Sequence, residues 1–247
     1  RSPWSLRSPC VIATVASPSQ KEPPSLAKNQ QPTSGVVVIG LGRFGSALAL
    51  ELESDGVEVL AIDTDLKRVQ AMSGRITHVV QADSTDAEAM RQLSVHEFDR
   101  AVIAVGTDLE VSVLTAFVLR QLGVTNIWAK AVSKSQAAIL TQIGVPHVVR
   151  PEHDMGRRVA HLVRGSMIDY IEFDDGYAIV KTVPPRSILG KTLARAGVRS
   201  KYGVTIVGIK STGSDFTYAT PDTVVNPGDL IIVSGDRRRV EYFSNQE

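Results

Sequence analysis

An apolar run, Val36–Ile39, leads directly into Gly40, Leu41, Gly42, Arg43, Phe44 and Gly45, and a helix-like stretch continues to Ser54. Strand, tight glycine turn and helix N-terminus in this order leave few folds open. The glycines let the chain turn sharply and let a pyrophosphate approach the backbone. The start of the helix offers backbone N–H groups and the positive end of its dipole to a phosphate. Roughly twenty residues on, Asp63 closes a second apolar run, Val57–Ile62. A carboxylate placed there can accept hydrogen bonds from ribose hydroxyls. The glycine spacing alone is a weak signal. Joined to the strand, the helix and Asp63, it predicts nucleotide binding rather than a purely structural turn.

The same rhythm continues for about a hundred residues. Short β-rich runs recur at Val36–Gly40, Val57–Ile62, Thr77–Gln81, Arg100–Val105, Asn126–Lys130 and His147–Arg150. Helical stretches separate them at Phe44–Ser54, Leu66–Ser73, Asp86–Leu93, Leu109–Leu122 and Lys134–Ile143. Nearly continuous apolar strands with helical crossovers indicate a parallel sheet covered on both faces. Right-handed crossovers make it a Rossmann-like, doubly wound α/β sheet, with its ligand beyond the carboxyl ends of the strands. Gly40, Asp63, Asp83, Val105 and Lys130 all fall near those ends.

Beyond residue 150 the pattern changes. Residues 151–165 read as a crossover helix, and residues 166–247 as a small α+β lobe. Met167–Phe173 and Tyr177–Val183 flank the turn signal Asp174-Asp175-Gly176. A short helix at Thr192–Ala196, strands at Val204–Ile209 and Leu230–Ser234, and a closing helix at Asp236–Phe243 complete the lobe. The boundaries are therefore a tail at 1–34, a nucleotide-binding lobe at 35–150, a helix at 151–165 and a C-terminal lobe at 166–247.

Composition excludes some functions. Lys plus Arg (27) nearly balances Asp plus Glu (26), so no basic field advertises nucleic acid. Arg237–Arg239 is the one dense basic run and reads as a solvated helix start. No segment reaches the roughly eighteen apolar residues a bilayer span needs, so no direct membrane insertion is expected. The single cysteine, Cys10, excludes an intrachain disulfide and suits a reducing compartment. Residues 1–34 are rich in Pro, Ser and Gln and read as a disordered tail. A transit peptide, or an artefact of where translation starts, is an alternative reading. The five histidines show no compact metal-ligand spacing. Met90, Met155 and Met167 are expected to be packing residues.

Five motifs, Gly40-Leu-Gly-Arg-Phe-Gly45, Gln81-Ala-Asp-Ser-Thr85, Asn126-Ile-Trp-Ala-Lys130, Arg150-Pro-Glu-His-Asp-Met-Gly156 and Arg199-Ser-Lys-Tyr-Gly203, resemble the KtrA/TrkA-type RCK proteins, nearest to the KtrA type. Asn226-Pro-Gly-Asp-Leu-Ile-Ile-Val-Ser-Gly235 resembles that family's C-terminal signature. The resemblance runs in order from about Gly35 to Phe243. It implies a regulatory subunit that senses ATP against ADP and gates a KtrB-like membrane potassium channel subunit. It also implies a homodimer assembling into an octameric ring, cytoplasmic and peripheral on the inner face of the membrane.

Site roles follow from the resemblance. Arg43 is expected at the terminal phosphate of ATP, across a subunit interface, and Asp63 at the ribose. Asp83 and Ser84 line the adenine side, although Asp83 serves equally well as the N-cap of the next helix. Ala104, Val105 and Gly106 form a wall against the base, and Lys130 approaches the nucleotide. Thr64 and Lys67 are placed in the same site. Glu152 is expected to hold Mg²⁺ or Ca²⁺ at the phosphates, or else to complement the helix dipole. Arg199 matches a residue that contacts cyclic di-AMP in the C-terminal lobe. The polar residues expected after Ile209 are not evident in Lys210–Ser211–Thr212.

An NAD(H)-dependent oxidoreductase shares the glycine turn and Asp63. Hydride transfer would need a positioned acid or base in the second lobe, which has no histidine after His161 and no cysteine. An RCK subunit of another cation transporter or antiporter is a further reading.

Overall fold

The computed structural model describes residues 35–246. The readings made for residues 1–34, Cys10 included, lie outside the described residues.

The first lobe alternates strand and helix: β1 (Val36–Ile39), α1 (Arg43–Ser54), β2 (Val59–Asp63), α2 (Leu66–Met72), β3 (His78–Gln81) and α3 (Ala87–Gln92), then β4 (Arg100–Ile103), α4 (Leu109–Gln121), β5 (Asn126–Lys130), α5 (Lys134–Gln142) and β6 (His147–Val149). The six strands lie in the order β3-β2-β1-β4-β5-β6, and every pairing is parallel. The order reverses between β1 and β4, which opens the crevice where such sheets take ligands. Ile39 pairs with Ile62 on one side and Ile103 on the other, so Gly40, Asp63 and Ala104 lie level at the carboxyl ends of the strands.

The apolar strands bury both faces. Val37, Ile39, Ile62, Ile103 and Ile127 belong to one core, and Val36, Val38, Ala61 and Val102 to another. Burial of each large aliphatic side chain contributes about 1.5–3 kcal/mol before entropy is counted. Val57 does not open β2, as its sequence suggests. Gly56 takes φ +77° and the Val57 N–H donates to the Leu52 carbonyl, closing α1.

The second lobe starts from α6 (Pro151–Arg164), with Pro151 at its first position. β7 (Met167–Glu172), β8 (Tyr177–Thr182), α7 (Leu193–Ala196), α8 (Val198–Tyr202), β9 (Val204–Lys210), β10 (Thr217–Tyr218), β11 (Leu230–Asp236) and α9 (Arg237–Ser244) follow. The strands form an antiparallel sheet ordered β10-β9-β11-β8-β7. Asp175 (φ 60°) and Gly176 (φ 73°) make the β7–β8 reversal that the sequence signals. α8 and β10 are additions to the sequence reading. α8 begins directly after Gly197 (φ 59°), which ends α7, so the two short helices read as one in sequence. Asp236 accepts from the Arg238 and Arg239 N–H groups, making the arginine run a capped helix start.

α6 packs on the second lobe. Leu162 joins that lobe's core, and Arg157 donates to Glu172 at 2.8 Å. Arg158 pairs with Asp169, and this pairing holds the aspartate's pKa below the ordinary value. His161 stacks on Tyr170 at 4.2 Å between ring centroids and lies 2.9 Å from Glu241. Met90 and Met167 are buried as expected, but Met155 on α6 is half-exposed. Among the described residues no helix is long and apolar enough to cross a membrane.

Candidate functional site

A cavity of about 870 Å³ opens at the carboxyl ends of β1, β2, β4 and β5. That volume suits a nucleotide. Its floor is the glycine turn. Gly40 takes φ +95°, which an L side chain rarely adopts, and a Cβ on Gly45 would lie 1.8 Å from the Gly40 carbonyl oxygen. Gly45 is therefore the packing glycine that lets α1 sit on β1, while Gly42 has open space around it and caps α1 without a side chain. By contrast, Asp65, Asp86, Asp108 and Ser133 cap α2, α3, α4 and α5 with their side chains. The first-turn N–H groups of α1 receive no such cap and adjoin the cavity, the arrangement that attracts a phosphate.

At the end expected to take the ribose, Asp63 is nearly buried. Its Oδ2 accepts from the Leu41 N–H at 2.6 Å and its Oδ1 from the Asp65 N–H at 2.8 Å. The Arg68 guanidinium donates to Oδ2 at 3.3 Å. Asp63 thus fastens the glycine turn to β2, a structural role that its spacing does not reveal. Thr64 lines the cavity, and its carbonyl accepts from Gln81. Lys67 is exposed and does not line it. The next residue, Arg68, does, because the α2 turn points position 68 back toward Asp63. Sequence alone gave no signal that separates the two.

On the third side, Asp83 accepts from the Thr85 backbone and hydroxyl at 2.9 and 2.7 Å, which lowers its pKa. It is not the N-cap of α3, since Asp86 fills that place. Ser84 is buried, and its hydroxyl shares a 2.8 Å hydrogen bond with Thr115. It stands within the wall more than on the surface of it. Ala104, Val105 and Gly106 form the opposite wall. Thr107, Asp108 and Val132, not singled out in the sequence, also border the cavity.

The end expected to take the phosphates gathers Arg43, Phe44, Lys130 and Glu152. The Lys130 side chain is only 12% exposed, and its Nζ lies 2.6 Å from Glu152 Oε1 and 5.7 Å from the Phe44 ring centroid. Gly106 makes room for its stem, since a Cβ there would stand 3.2 Å from Lys130 Cε. Glu152 is held below the ordinary carboxylate pKa by the Lys130 hydrogen bond, with Arg43 adding a smaller electrostatic contribution. Arg43 is exposed and forms no ion pair among the described residues. Among the described residues no three His, Cys, Asp or Glu side chains cluster as a metal cage. One carboxylate with phosphate oxygens is nonetheless a sufficient Mg²⁺ set. Arg199 lies elsewhere, in a cavity of about 260 Å³ in the second lobe with Leu193, Val198, Thr205 and Thr220.

Glycine turn, buried carboxylate and uncapped helix define a Rossmann-type nucleotide lobe joined by one helix to an antiparallel lobe. Residues 36–151 match the TrkA-N domain and residues 177–246 the TrkA-C domain. Ktr system potassium uptake protein C of Bacillus subtilis (strain 168) is 35% identical over 210 residues, 85% of this chain and 95% of that protein. Protein A of the same system and organism is 33% identical over 220 residues, 89% and 97% of the two chains. The chain belongs to this KtrA-type family, whose members are non-enzymatic regulators of potassium transport. That removes the oxidoreductase reading.

Among solved structures, the GsuK RCK domain aligns with TM-score 0.60 at 18% identity, covering 92% of this chain and 51% of that one. A GsuK channel aligns with TM-score 0.61 at 18% identity, covering 88% and 40%. This chain thus spans about half of the first and less of the second. The likeness establishes the RCK fold.

Proposed function

We propose that the chain is a nucleotide-sensing regulatory subunit of a membrane potassium transporter, reading ATP against ADP in the first-lobe cavity. It acts as a cytoplasmic peripheral protein, and its membrane partner resembles KtrB. The observation that carries this reading is the Lys130–Glu152 pair, beside the uncapped start of α1 and the unpaired Arg43.

A triphosphate brings charge to this end of the cavity that adenosine lacks and ADP brings less of. Lys130 then has a phosphate to bind in place of Glu152, and Arg43 can fork to the terminal phosphate oxygens. Glu152, released, is the residue that would hold a divalent cation against the phosphates. Only contacts that differ between ATP and ADP can shift a conformational balance. Glu152 stands in the first turn of α6, whose later turns are fastened to the second lobe through Arg157, Arg158 and His161. A change of partner at Glu152 therefore acts on the element that joins the lobes. Homodimers arranged in an octameric ring would carry that change to the pore. Cyclic di-AMP, through Arg199, is a separate ligand proposal for the second lobe.

A thermal-shift panel tests the reading: ATP, ADP, NAD, NADH and cyclic di-AMP, each with and without Mg²⁺. Ligand binding raises the melting temperature by an amount that grows with the logarithm of ligand concentration over dissociation constant. ATP is expected to raise it more than ADP and more than NADH. Equal or reversed ranking of ATP and NADH rejects the ATP/ADP assignment.

A further inference from the structure

Asp63 is expected to take the ribose, but its carboxylate is already engaged. An ionised carboxylate has about four acceptor positions. Two are filled by backbone donors, the N–H groups of Leu41 and Asp65, at 2.6 and 2.8 Å. The third donor is the Arg68 guanidinium at 3.3 Å. One position is left, whereas a ribose diol presents two hydroxyls.

The three donors are not equally fixed. Those from Leu41 and Asp65 are main-chain groups in the glycine turn and the α2 cap. The Arg68 side chain is 53% exposed, stands at the cavity rim and has a second partner, Asp65, at 3.5 Å. A half-exposed ion pair is weak, so this arm moves at little cost. Withdrawing it frees the second acceptor position and leaves both backbone donors in place.

We propose that Arg68 is a positioning residue that occupies the ribose acceptor of Asp63 and gives way to the ribose diol. It acts through Asp63 and does not grip the ligand. The nucleotide exchanges one guanidinium for its 2′- and 3′-hydroxyls, and Arg68 falls back on Asp65. The sign of its mutant effect is therefore unusual: removing a cation from a cavity that takes a polyphosphate should favour the ribose-bearing ligand. This inference rests on the nucleotide reading of the cavity.

The test compares ATP with 2′,3′-dideoxy-ATP by calorimetry on the full chain and on Arg68→Ala and Arg68→Lys. The two ligands carry the same charge, so loss of general electrostatic attraction cancels in their affinity ratio. Arg68→Ala is expected to raise the preference for ATP over the dideoxy compound by about two- to fivefold, the worth of a half-exposed ion pair. Arg68→Lys, which keeps a cation beside Asp63 without the fork, should fall between Ala and the native residue. An unchanged or reduced preference in Arg68→Ala overturns the role assigned to Arg68 while leaving nucleotide binding intact. Failure of the native chain to bind ATP at all overturns the nucleotide reading, and this inference with it.

Discussion

The two ends of the first-lobe cavity are built on opposite plans. At the ribose end almost every polar group is tied down by the main chain: Asp63 holds the turn, and Asp83 folds back on Thr85. At the phosphate end the first turn of α1 has no side-chain cap, Arg43 is exposed, and Lys130 is held by a carboxylate from another element. At the tied end only the half-exposed Arg68 arm can exchange partners, and the main chain keeps its shape. An end whose partners can be exchanged is where ligand charge becomes movement. On the function proposed above, sensing belongs to the phosphate end, and the main chain of the ribose end serves as its anchor.

Gly45→Ala attacks the anchor most severely. The added carbon would overlap the Gly40 carbonyl, with the Ala104 Cβ also within 2.9 Å, so α1 must lift from the sheet. Loss of about 3 kcal/mol is expected in chemical denaturation, with nucleotide binding lost as well. Gly42→Ala, in open space, should leave stability nearly unchanged, and equal losses in the two variants would erase the distinction between packing and phosphate glycines. Asp63→Ala comes next. It strands the buried Leu41 N–H and loosens the turn, at an expected cost of about 2 kcal/mol.

The phosphate end should respond differently. Lys130→Met removes a cation but leaves Glu152 60% exposed and free to hydrate. Stability should shift by less than about 1 kcal/mol, whereas ATP affinity should drop about tenfold or more and adenosine affinity hardly at all. A stability loss as large as that of Asp63→Ala would mean that this end is an anchor too.

The smallest effect is acid dependence. Glu152 has a folded pKa below its ordinary 4.5 because Lys130 stabilises the carboxylate. Its contribution is complete above that ordinary value and is lost as pH falls through the depressed folded value. Exposure limits the loss to about 0.2–1 kcal/mol. Denaturation of Glu152→Gln between pH 6 and 3 should lack that component of the acid destabilisation, and an identical pH profile would show that the pair contributes nothing.

Much of the anchor was legible in sequence because strand periodicity and glycine spacing are local signals. The apolar runs gave the parallel sheet, and Gly40 to Gly45 with Asp63 gave the crevice. What those residues bond was not legible, because it depends on which way each side chain turns. Asp63 on the Leu41 N–H, Arg68 rather than Lys67 at the rim, and Asp86 rather than Asp83 as the cap are all of that kind. At the phosphate end Lys130 and Glu152 stand 22 positions apart, and only the parallel pairing of β5 with β6, followed at once by α6, brings them into contact. The short α8 and β10 escaped because a single glycine joins α7 to α8 and two residues carry no periodicity.

Central to the proposed function is that the phosphate end passes ligand charge to α6. Hydrogen exchange along Pro151–Arg164, measured with saturating adenosine, ADP and ATP, tests this most directly. ATP should change exchange in the Glu152 turn and along the helix, ADP less, and adenosine not at all. The same exchange in α6 with all three ligands, with protection confined to the β2–α2 region, would contradict it.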